Sequence, residues 1–214
     1  MRQVQRIDPV HPDVHLLDQA AKELAAGHLV AYPTETFYGL GADPCNAEAV
    51  EKIFVAKGRP ERMALPLIAP DDEGVALCVR EFPEAARKLA KHFWPGALTL
   101  VLPASDRLPS RLLGGARSVA LRLSPHPVAA GLARAVGASI IATSANRSGR
   151  SAPVTAAEVV EALGEHLTLV LDGGPATGGA ASTVLDLTAD PPRVVRSGAV
   201  PISAIEAVLG RRLA

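Results

Sequence analysis

The stretch Pro33-Thr34-Glu35-Thr36-Phe37-Tyr38-Gly39-Leu40-Gly41 places two threonine hydroxyls, a carboxylate and a phenol between a proline and two glycines. It follows the short apolar run at 29–32, which predicts a β-strand that ends where the polar residues begin. In α/β proteins, ligand crevices open at such strand ends. A simpler interpretation is a turn whose hydroxyls cap neighbouring backbone groups. For Glu35 the alternatives are a magnesium ligand, a base, or a solvated or ion-paired glutamate.

A second polar segment, KGRP at 57–60, puts two cations at the expected end of a helix that Asn46 can cap. Lys57 and Arg59 could simply complement the helix dipole. Pro60 favours an extended conformation for Arg59, which would fix the direction of its side chain. Small donors on one segment and a Lys/Arg pair on another together suit a polyanion such as ATP.

The segment TSAN at 143–146 follows the most apolar strand pattern of the sequence and precedes Ser148 and Gly149. Polar groups that emerge together from a buried strand form either a strand-ending turn or a phosphate cradle. No histidine lies close to Ser144 in the sequence, and the segment is not a G-x-S-x-G turn. A serine hydrolase is therefore not expected.

Arg122 lies within the otherwise apolar run at 119–123, where it either binds an anion or faces solvent through strand alternation. Ser182, which follows a glycine-rich loop, and Arg196 repeat the pattern of hydroxyls and cations at strand ends. Together these segments indicate an anion- and nucleotide-binding crevice lined by Thr, Ser, Asn, Lys and Arg side chains.

Composition narrows the class of protein. The 214 residues carry 22 basic and 22 acidic side chains, so global attraction of nucleic acid is not expected, and RNA binding would need a local basic patch. The six histidines and two cysteines show no metal-ligand spacing. Neither a signal peptide nor a run of about 18 apolar residues is recognisable, so we expect a cytoplasmic protein without membrane contact.

Alternating strand and helix patterns predict an α/β fold with a twisted, mostly covered mixed sheet and flanking helices. Helices are expected at 16–25, 46–57, 83–93, 128–136, 155–163 and 201–209. Strands are expected at 29–32, 65–68, 97–102, 118–123, 138–143, 167–171, 182–187 and 193–196. Pro66 places the strand at 65–68 at an edge or makes it irregular. Residues 1–12 are expected to form an irregular arm, and residues 13–210 a single catalytic domain.

Seven segments occur in the order typical of one known family and cover roughly residues 15 to 209. They are PTETFYGLG at 33–41, KGRP at 57–60, WPGALTLVL at 94–102, VALRLSPHP at 119–127, TSANRSG at 143–149, STVLD at 182–186 and VVRSGA at 194–199. In these segments the chain resembles the YrdC-type threonylcarbamoyl-AMP synthases, which are related to the Sua-type proteins. The resemblance implies a sheet bent around a deep, concave, basic cleft.

The resemblance also implies an activity, that of a nucleotidyltransferase. L-Threonine, bicarbonate or CO2, and ATP would give threonylcarbamoyl-AMP and pyrophosphate, and a separate transferase complex would pass the threonylcarbamoyl group to tRNA. Magnesium would arrive with the ATP phosphates rather than in a dedicated protein site, and no tightly bound organic cofactor or covalent nucleophile is expected. Transfer RNA or double-stranded RNA would be a possible partner.

The site residues follow from the matching segments. The resemblance assigns ATP and its phosphates to Lys57, Arg59, Ser144, Asn146 and Arg196. It assigns L-threonine to Thr36, Arg122 and Ser182, with Arg122 on the carboxylate. Thr34 and Thr143 are further candidates for direct hydrogen bonds to the substrates.

The chain departs from the family pattern at two positions. No histidine follows KGRP in the segment at 67–70, and Ser124 stands where proline is usual. A second, C-terminal Sua-type domain is not expected. Two other readings remain: a YciO-like paralogue with the same fold, and an RNA-binding module without this activity. The KGRP and TSAN segments favour the synthase.

Overall fold

The computed structural model describes residues 3–60 and 63–214 and arranges them as two β-sheets with flanking helices. The strands are β1 (Gln3–Arg6), β2 (Val30–Pro33), β3 (Tyr38–Gly41), β4 (Leu67–Ile68), β5 (Leu98–Pro103), β6 (Ser118–Arg122), β7 (Ile140–Ile141), β8 (Thr143–Ser144), β9 (Leu169–Asp172), β10 (Thr183–Asp186) and β11 (Arg193–Arg196). The helices are α1 (Val14–Ala25), α2 (Ala47–Lys57), α3 (Asp72–Cys78), α4 (Glu84–Phe93), α5 (Pro127–Val136), α6 (Ala156–Leu163) and α7 (Ile202–Leu209).

The first sheet has the strand order β1-β9-β2-β3-β8, and the second has the order β11-β10-β5-β6-β4-β7. Each contains parallel and antiparallel pairs. The α/β class and the mixed pairing are thus confirmed, but there are two sheets where the sequence predicted one. The cause lies in the strand expected at 138–143. It is divided at Ala142, so that β7 joins the second sheet and β8 joins the first.

Helix α2 shows how the sequence places the KGRP segment. The side chain of Asn46 accepts hydrogen bonds from the backbone N–H groups of Glu48 and Ala49, at 3.0 and 3.1 Å, and caps the helix as expected. Gly58, with φ at +57°, ends the helix in the left-handed conformation that glycine adopts easily. Ile53 and Phe54 are buried, so the last turn of the helix faces the protein interior.

Strand β4 corrects the expectation for Pro66. The strand lies between β6 and β7 rather than at an edge. Pro66 precedes the paired residues, so its missing N–H interrupts no ladder bond, and its carbonyl accepts a hydrogen bond from the N–H of Ala142 at 2.9 Å. Two elements, helix α3 and strand β3, were not predicted from the sequence. Strand β3 lies within the segment whose polar residues had indicated only a turn.

The irregular arm expected at 1–12 contains β1, which pairs in parallel with β9. Its sequence, Gln-Val-Gln-Arg, has mostly polar side chains and is held at a sheet edge through its backbone, so no hydrophobic pattern announces it. Residues 1 and 2 of the arm lie outside the described part of the chain. The assignment of 13–210 to one catalytic domain stays a prediction.

The core is built mainly from aliphatic side chains. One cluster of buried residues includes parts of β3, β5, α2 and α6, and a second packs α1 and α5 against β2 and β9. Within the ranges 3–60 and 63–214, every helix is too short or too polar to cross a lipid bilayer.

Candidate functional site

A cavity of about 500 Å³ is lined by residues of both sheets. The turn between β2 and β3 and strand β8 contribute from the first sheet, and strands β5, β6, β10 and β11 contribute from the second. Nine of the ten residues singled out from the sequence lie on its wall: Thr34, Thr36, Arg59, Arg122, Thr143, Ser144, Asn146, Ser182 and Arg196. The tenth, Lys57, lies behind the wall.

Within residues 3–60 and 63–214, the charged residues on the wall of this cavity are four arginines: Arg59, Arg122, Arg150 and Arg196. Burial lowers the pKa of the Arg59 and Arg196 guanidinium groups, and the positive charge of Arg122 lowers that of Arg196 further. Arginine nevertheless stays protonated in proteins. Partly buried like charges repel one another, so an anion in the cavity would be stabilised. A basic, concave shape for the whole cleft stays a prediction.

The PTET segment forms a tight turn at the cavity wall. The hydroxyl of Thr34 donates to the carbonyl of Phe37 at 2.7 Å and accepts from the N–H of Thr36 at 3.2 Å. Its oxygen lies 3.2 Å from the hydroxyl oxygen of Thr36. Thr34 therefore stabilises the turn, as the simpler interpretation proposed, while Thr34 and Thr36 both line the cavity.

The glycine-rich loop at 173–179 holds this turn from outside. The hydroxyl of Thr177 donates to the carbonyl of Glu35 at 2.6 Å, and the N–H of Gly178 donates to the carbonyl of Thr36 at 2.8 Å. The phenol of Tyr38 donates to the carbonyl of Gly174 at 2.7 Å. The loop thus holds the turn by its backbone carbonyls at Glu35 and Thr36, and the Thr34 and Thr36 side chains are not needed for this contact.

Two glycines of β3 are required by close packing. A Cβ atom on Gly41 would lie 2.7 Å from the ring of Tyr32, and one on Gly39 would lie 3.2 Å from it. The first distance is far inside van der Waals contact. The glycines therefore let β3 pass over the buried Tyr32 ring, whose hydroxyl donates to the carbonyl of Ile141 at 3.1 Å.

Arg122 and Glu35 form a buried ion pair. Nε of Arg122 donates to Oε1 of Glu35 at 2.9 Å, and the hydroxyl of Ser124 donates to Oε2 at 2.5 Å. Arg122 is only 6% exposed, so its orientation toward solvent is excluded. Of the alternatives for Glu35, the ion-paired glutamate describes the structure. Ser124, the departure from the family pattern, is the second partner of this carboxylate.

Lys57 contacts the TSAN segment from behind. Its ammonium donates to the backbone carbonyl of Ser144, to that of Asn146 at 2.8 Å, and to the Asn146 side-chain oxygen at 3.5 Å. Lys57 is 3% exposed, and burial, together with the nearby charge of Arg59, lowers its pKa to about 7. Complementing a helix dipole does not account for such burial. A direct contact between Lys57 and ATP stays a prediction.

The loop after β8 is held by its own polar groups. The amide group of Asn146 donates to the carbonyl of Arg150 at 2.5 Å and to that of Arg147 at 3.1 Å. The N–H of Ser148 donates to the carbonyl of Lys57 at 2.7 Å. Asn146 thus closes the loop, while the Ser144 side chain borders the cavity.

The hydroxyl of Thr143 ties the start of this loop to the KGRP segment. Nη1 of Arg59 donates to that hydroxyl at 3.4 Å, and Nη2 of Arg59 donates to the carbonyl of Ala64 at 2.9 Å. Arg59 is therefore anchored on two sides while it lines the cavity.

Ser182 and Arg196, assigned above to different substrates, are in direct contact. Nε and Nη2 of Arg196 donate to the carbonyl of Ser182 at 3.1 and 2.8 Å, and Nη2 also lies 3.0 Å from its hydroxyl. The same hydroxyl lies 2.9 Å from that of Thr99. Thr99 is buried on the cavity wall and was missed in the sequence, as was Arg150. Alternation along β5 could have revealed Thr99, which points away from Leu98 and Leu100.

Comparison with known proteins gives consistent matches. The family model for Sua5, YciO and YrdC proteins, described as "Telomere recombination", matches residues 22–198. The threonylcarbamoyl-AMP synthase of Pyrococcus abyssi is 44% identical over 191 residues, which are 89% of this chain and 56% of that protein. That of Bacillus subtilis is 44% identical over 193 residues, which are 90% of this chain and 56% of that protein. The chain thus spans little more than half the length of these relatives.

Two solved structures resemble the whole chain. P. abyssi Sua5 complexed with L-threonine has a TM-score of 0.94 at 39% identity, and the match covers 99% of this chain and 62% of that one. Escherichia coli YciO has a TM-score of 0.87 at 28% identity, and the match covers 96% of this chain and all of that one.

Proposed function

The chain belongs to the Sua5/YciO/YrdC family, and we propose that it is a threonylcarbamoyl-AMP synthase, a nucleotidyltransferase. The observation that carries the proposal is one cavity whose wall, among the described residues, brings together four arginines and several threonines and serines. Both substrates that the reaction must orient carry anionic groups, which are the carboxylate of the amino acid and the phosphates of ATP. Guanidinium groups bind carboxylates and phosphates through paired hydrogen bonds.

Support for L-threonine as substrate comes from the related Sua5 structure, which is a complex with that amino acid. In this chain Arg122 would bind the carboxylate, since it is a buried cation on the cavity wall. The hydroxyls of Thr36 and Ser182 would bind the polar groups of the same substrate. Thr99, in contact with Ser182, would orient that hydroxyl.

ATP would lie along the loop after β8. Arg59, Arg196 and Ser144 line the cavity and would contact the phosphates of ATP. Asn146 and Thr143 would either bind the phosphates as well or hold the loop that binds them. Lys57 would contribute by fixing the loop carbonyls from behind. Arg150 adds a cation that the family resemblance did not assign.

Magnesium would enter as part of the substrate, as magnesium–ATP. Among residues 3–60 and 63–214, no three His, Cys, Asp or Glu side chains come close enough to hold a metal ion. The carboxylate nearest to the predicted threonine site, Glu35, is already bonded to Arg122 and Ser124. Phosphate oxygens are ligands that magnesium prefers, so the nucleotide would carry the ion.

The chemistry needs no covalent intermediate with the protein. The amine of threonine attacks the carbon of CO2 and releases a proton, or attacks that of bicarbonate with loss of water, and forms a carbamate. A carbamate oxygen then attacks the α-phosphorus of ATP, and pyrophosphate leaves. Positioning the two anions and neutralising the charge on the phosphates would supply most of the catalysis. The labile product would pass to a tRNA-modifying transferase, and a cytoplasmic location and contact with tRNA belong to this same proposal.

The test is pyrophosphate release from ATP with magnesium and bicarbonate, in the presence of L-threonine, L-serine or no amino acid. Release that depends on L-threonine is the expected result. The Arg122→Ala variant should lose it, whereas Arg107→Ala, a change outside the cavity wall, should not. If ATP binds but no amino acid triggers pyrophosphate release, the hypothesis of a YciO-like paralogue is favoured. If ATP does not bind either, an RNA-binding role is favoured.

A further inference from the structure

Glu35 connects the PTET turn of the first sheet to strand β6 of the second. Both of its carboxylate oxygens are engaged, one by Nε of Arg122 at 2.9 Å and one by the hydroxyl of Ser124 at 2.5 Å. The Ser124 oxygen in turn accepts a hydrogen bond from the N–H of His126 at 3.2 Å. The side chains of Arg122 and Glu35 are 8% and 14% exposed. The Glu35 carboxylate thus joins Arg122 and Ser124 through two charge-assisted hydrogen bonds that are largely shielded from solvent.

The pairing uses only one edge of the guanidinium. Within the described residues, no hydrogen bond or ion pair engages Nη1 or Nη2 of Arg122, although the residue lines the cavity. A guanidinium carries five N–H donors in a fixed plane, so it can bind one carboxylate through Nε and another through its Nη atoms. Glu35 therefore fixes the plane of the group without occupying all of its donors.

We propose that Glu35 and Ser124 are positioning residues that hold Arg122 ready for the carboxylate of an amino-acid substrate, and that the Glu35–Arg122 pair persists when the substrate binds. The inference rests on the proposed function in naming L-threonine as that amino acid. Neither residue needs to touch the substrate, because both act through the orientation of Arg122.

Two physical reasons support this role. A long arginine side chain loses rotational freedom when it binds a ligand, and a guanidinium already held in place avoids most of that cost. The Glu35 backbone is itself anchored, since its carbonyl accepts a hydrogen bond from Thr177 at 2.6 Å. The carboxylate also offsets the repulsion between Arg122 and the other arginines of the cavity wall, so that Arg122 can stay in place before a substrate arrives.

The contrary reading is that Glu35 imitates the substrate carboxylate and must leave Arg122 before the substrate binds. The two readings predict opposite effects. If Glu35 positions Arg122, removing its charge weakens amino-acid binding. If Glu35 competes, removing its charge strengthens it.

The experiment measures the Kd of L-threonine and the Kd of ATP separately, by calorimetry, for Ser124→Ala and Glu35→Gln. The controls are Ser139→Ala, which removes another buried serine hydroxyl, and Glu51→Gln, which alters another Glu–Arg pair. We expect a several-fold rise in the threonine Kd for Ser124→Ala and about a tenfold rise for Glu35→Gln, as for the loss of charge-assisted hydrogen bonds. The ATP Kd should stay within about twofold in every variant.

Glu35→Gln leaves a buried arginine without its counter-ion, so its melting temperature is recorded. If this variant fails to fold, Ser124→Ala, which keeps the ion pair, decides the question. An unchanged or tighter threonine Kd in the folded variants overturns the positioning role and leaves the synthase proposal standing. A wild-type protein that binds another L-amino acid, with the same losses in the variants, removes the synthase proposal and keeps the positioning role. A wild-type protein that binds no L-amino acid removes both.

Discussion

The ammonium of Lys57 lies 2.8 Å from the backbone oxygen of Asn146 and also contacts that of Ser144. The end of helix α2 thus supports, from the interior side, the loop that borders the cavity at Ser144 and Asn146. Lys57, which is predicted to contact ATP, therefore also holds the carbonyl oxygens that shape the predicted phosphate site.

Replacing Lys57 by methionine, which has a similar length and no charge, should raise the KM for ATP about tenfold or more. The reason is that two or more buried carbonyl groups lose their donor, at a cost of roughly 1–3 kcal/mol for each unsatisfied group. The KM for threonine should change much less. Steady-state pyrophosphate release measures both constants, and equal changes in the two would show that Lys57 does not act on the ATP site selectively.

The pKa of Lys57 predicts a dependence of stability on pH. Since burial lowers it from 10.5 to about 7, the unfolded state binds more protons between those two pH values. The contribution of this group to stability is therefore lowest at and below pH 7 and increases as the pH rises toward 10.5. Urea unfolding should show that the free energy of unfolding of the wild type, relative to that of Lys57→Met, increases as the pH rises over this range. A constant difference would contradict the lowered pKa.

Arg122→Ala should raise the threonine requirement more than any other substitution on the cavity wall. The variant loses the cation that Glu35 holds beside the predicted carboxylate site. Arg122→Lys should restore little of the threonine affinity. A lysine ammonium lacks the planar set of donors with which a guanidinium can bind Glu35 through Nε and a substrate carboxylate through its Nη atoms. Initial rates at varied threonine and saturating ATP are the measurement, and normal kinetics in Arg122→Ala would remove this residue from the pocket.

Arg150→Ala should raise the KM for ATP several-fold and leave the KM for threonine near its wild-type value. Arg150 lines the cavity on the loop assigned to the phosphates, so it would attract them over a distance within the Debye length. Arg147→Ala is the matched control, because Arg147 belongs to the same loop but pairs with Glu165 on the surface. Identical effects of the two substitutions would reduce the role of Arg150 to general loop stability.

Local patterns predicted most of the elements, and nine of the ten residues singled out from the sequence lie on the cavity wall. Helix α2 was readable from Asn46 and its apolar spacing, and the polar residues at strand ends marked the crevice correctly. The missed division of the sheet and the missed Glu35–Arg122 pair have one physical cause, which is that tertiary pairing decides both. Nothing near 140–144 shows that Ala142 separates two sheets, and nothing near Glu35 shows that its partner lies 87 residues away at Arg122.

The division at Ala142 has a mechanical consequence. Strand β7 is the edge of the second sheet, β8 is the edge of the first, and one residue separates them. Two peptide units span at most about 7 Å, so these edges cannot move apart without unpairing a strand. The two sheets are joined at the edge strands β8 and β7, and β1 and β11 are the opposite edge strands. The two sheets are therefore held together at β7 and β8, whereas β11, which carries Arg196, is the edge strand of the second sheet farthest from this junction.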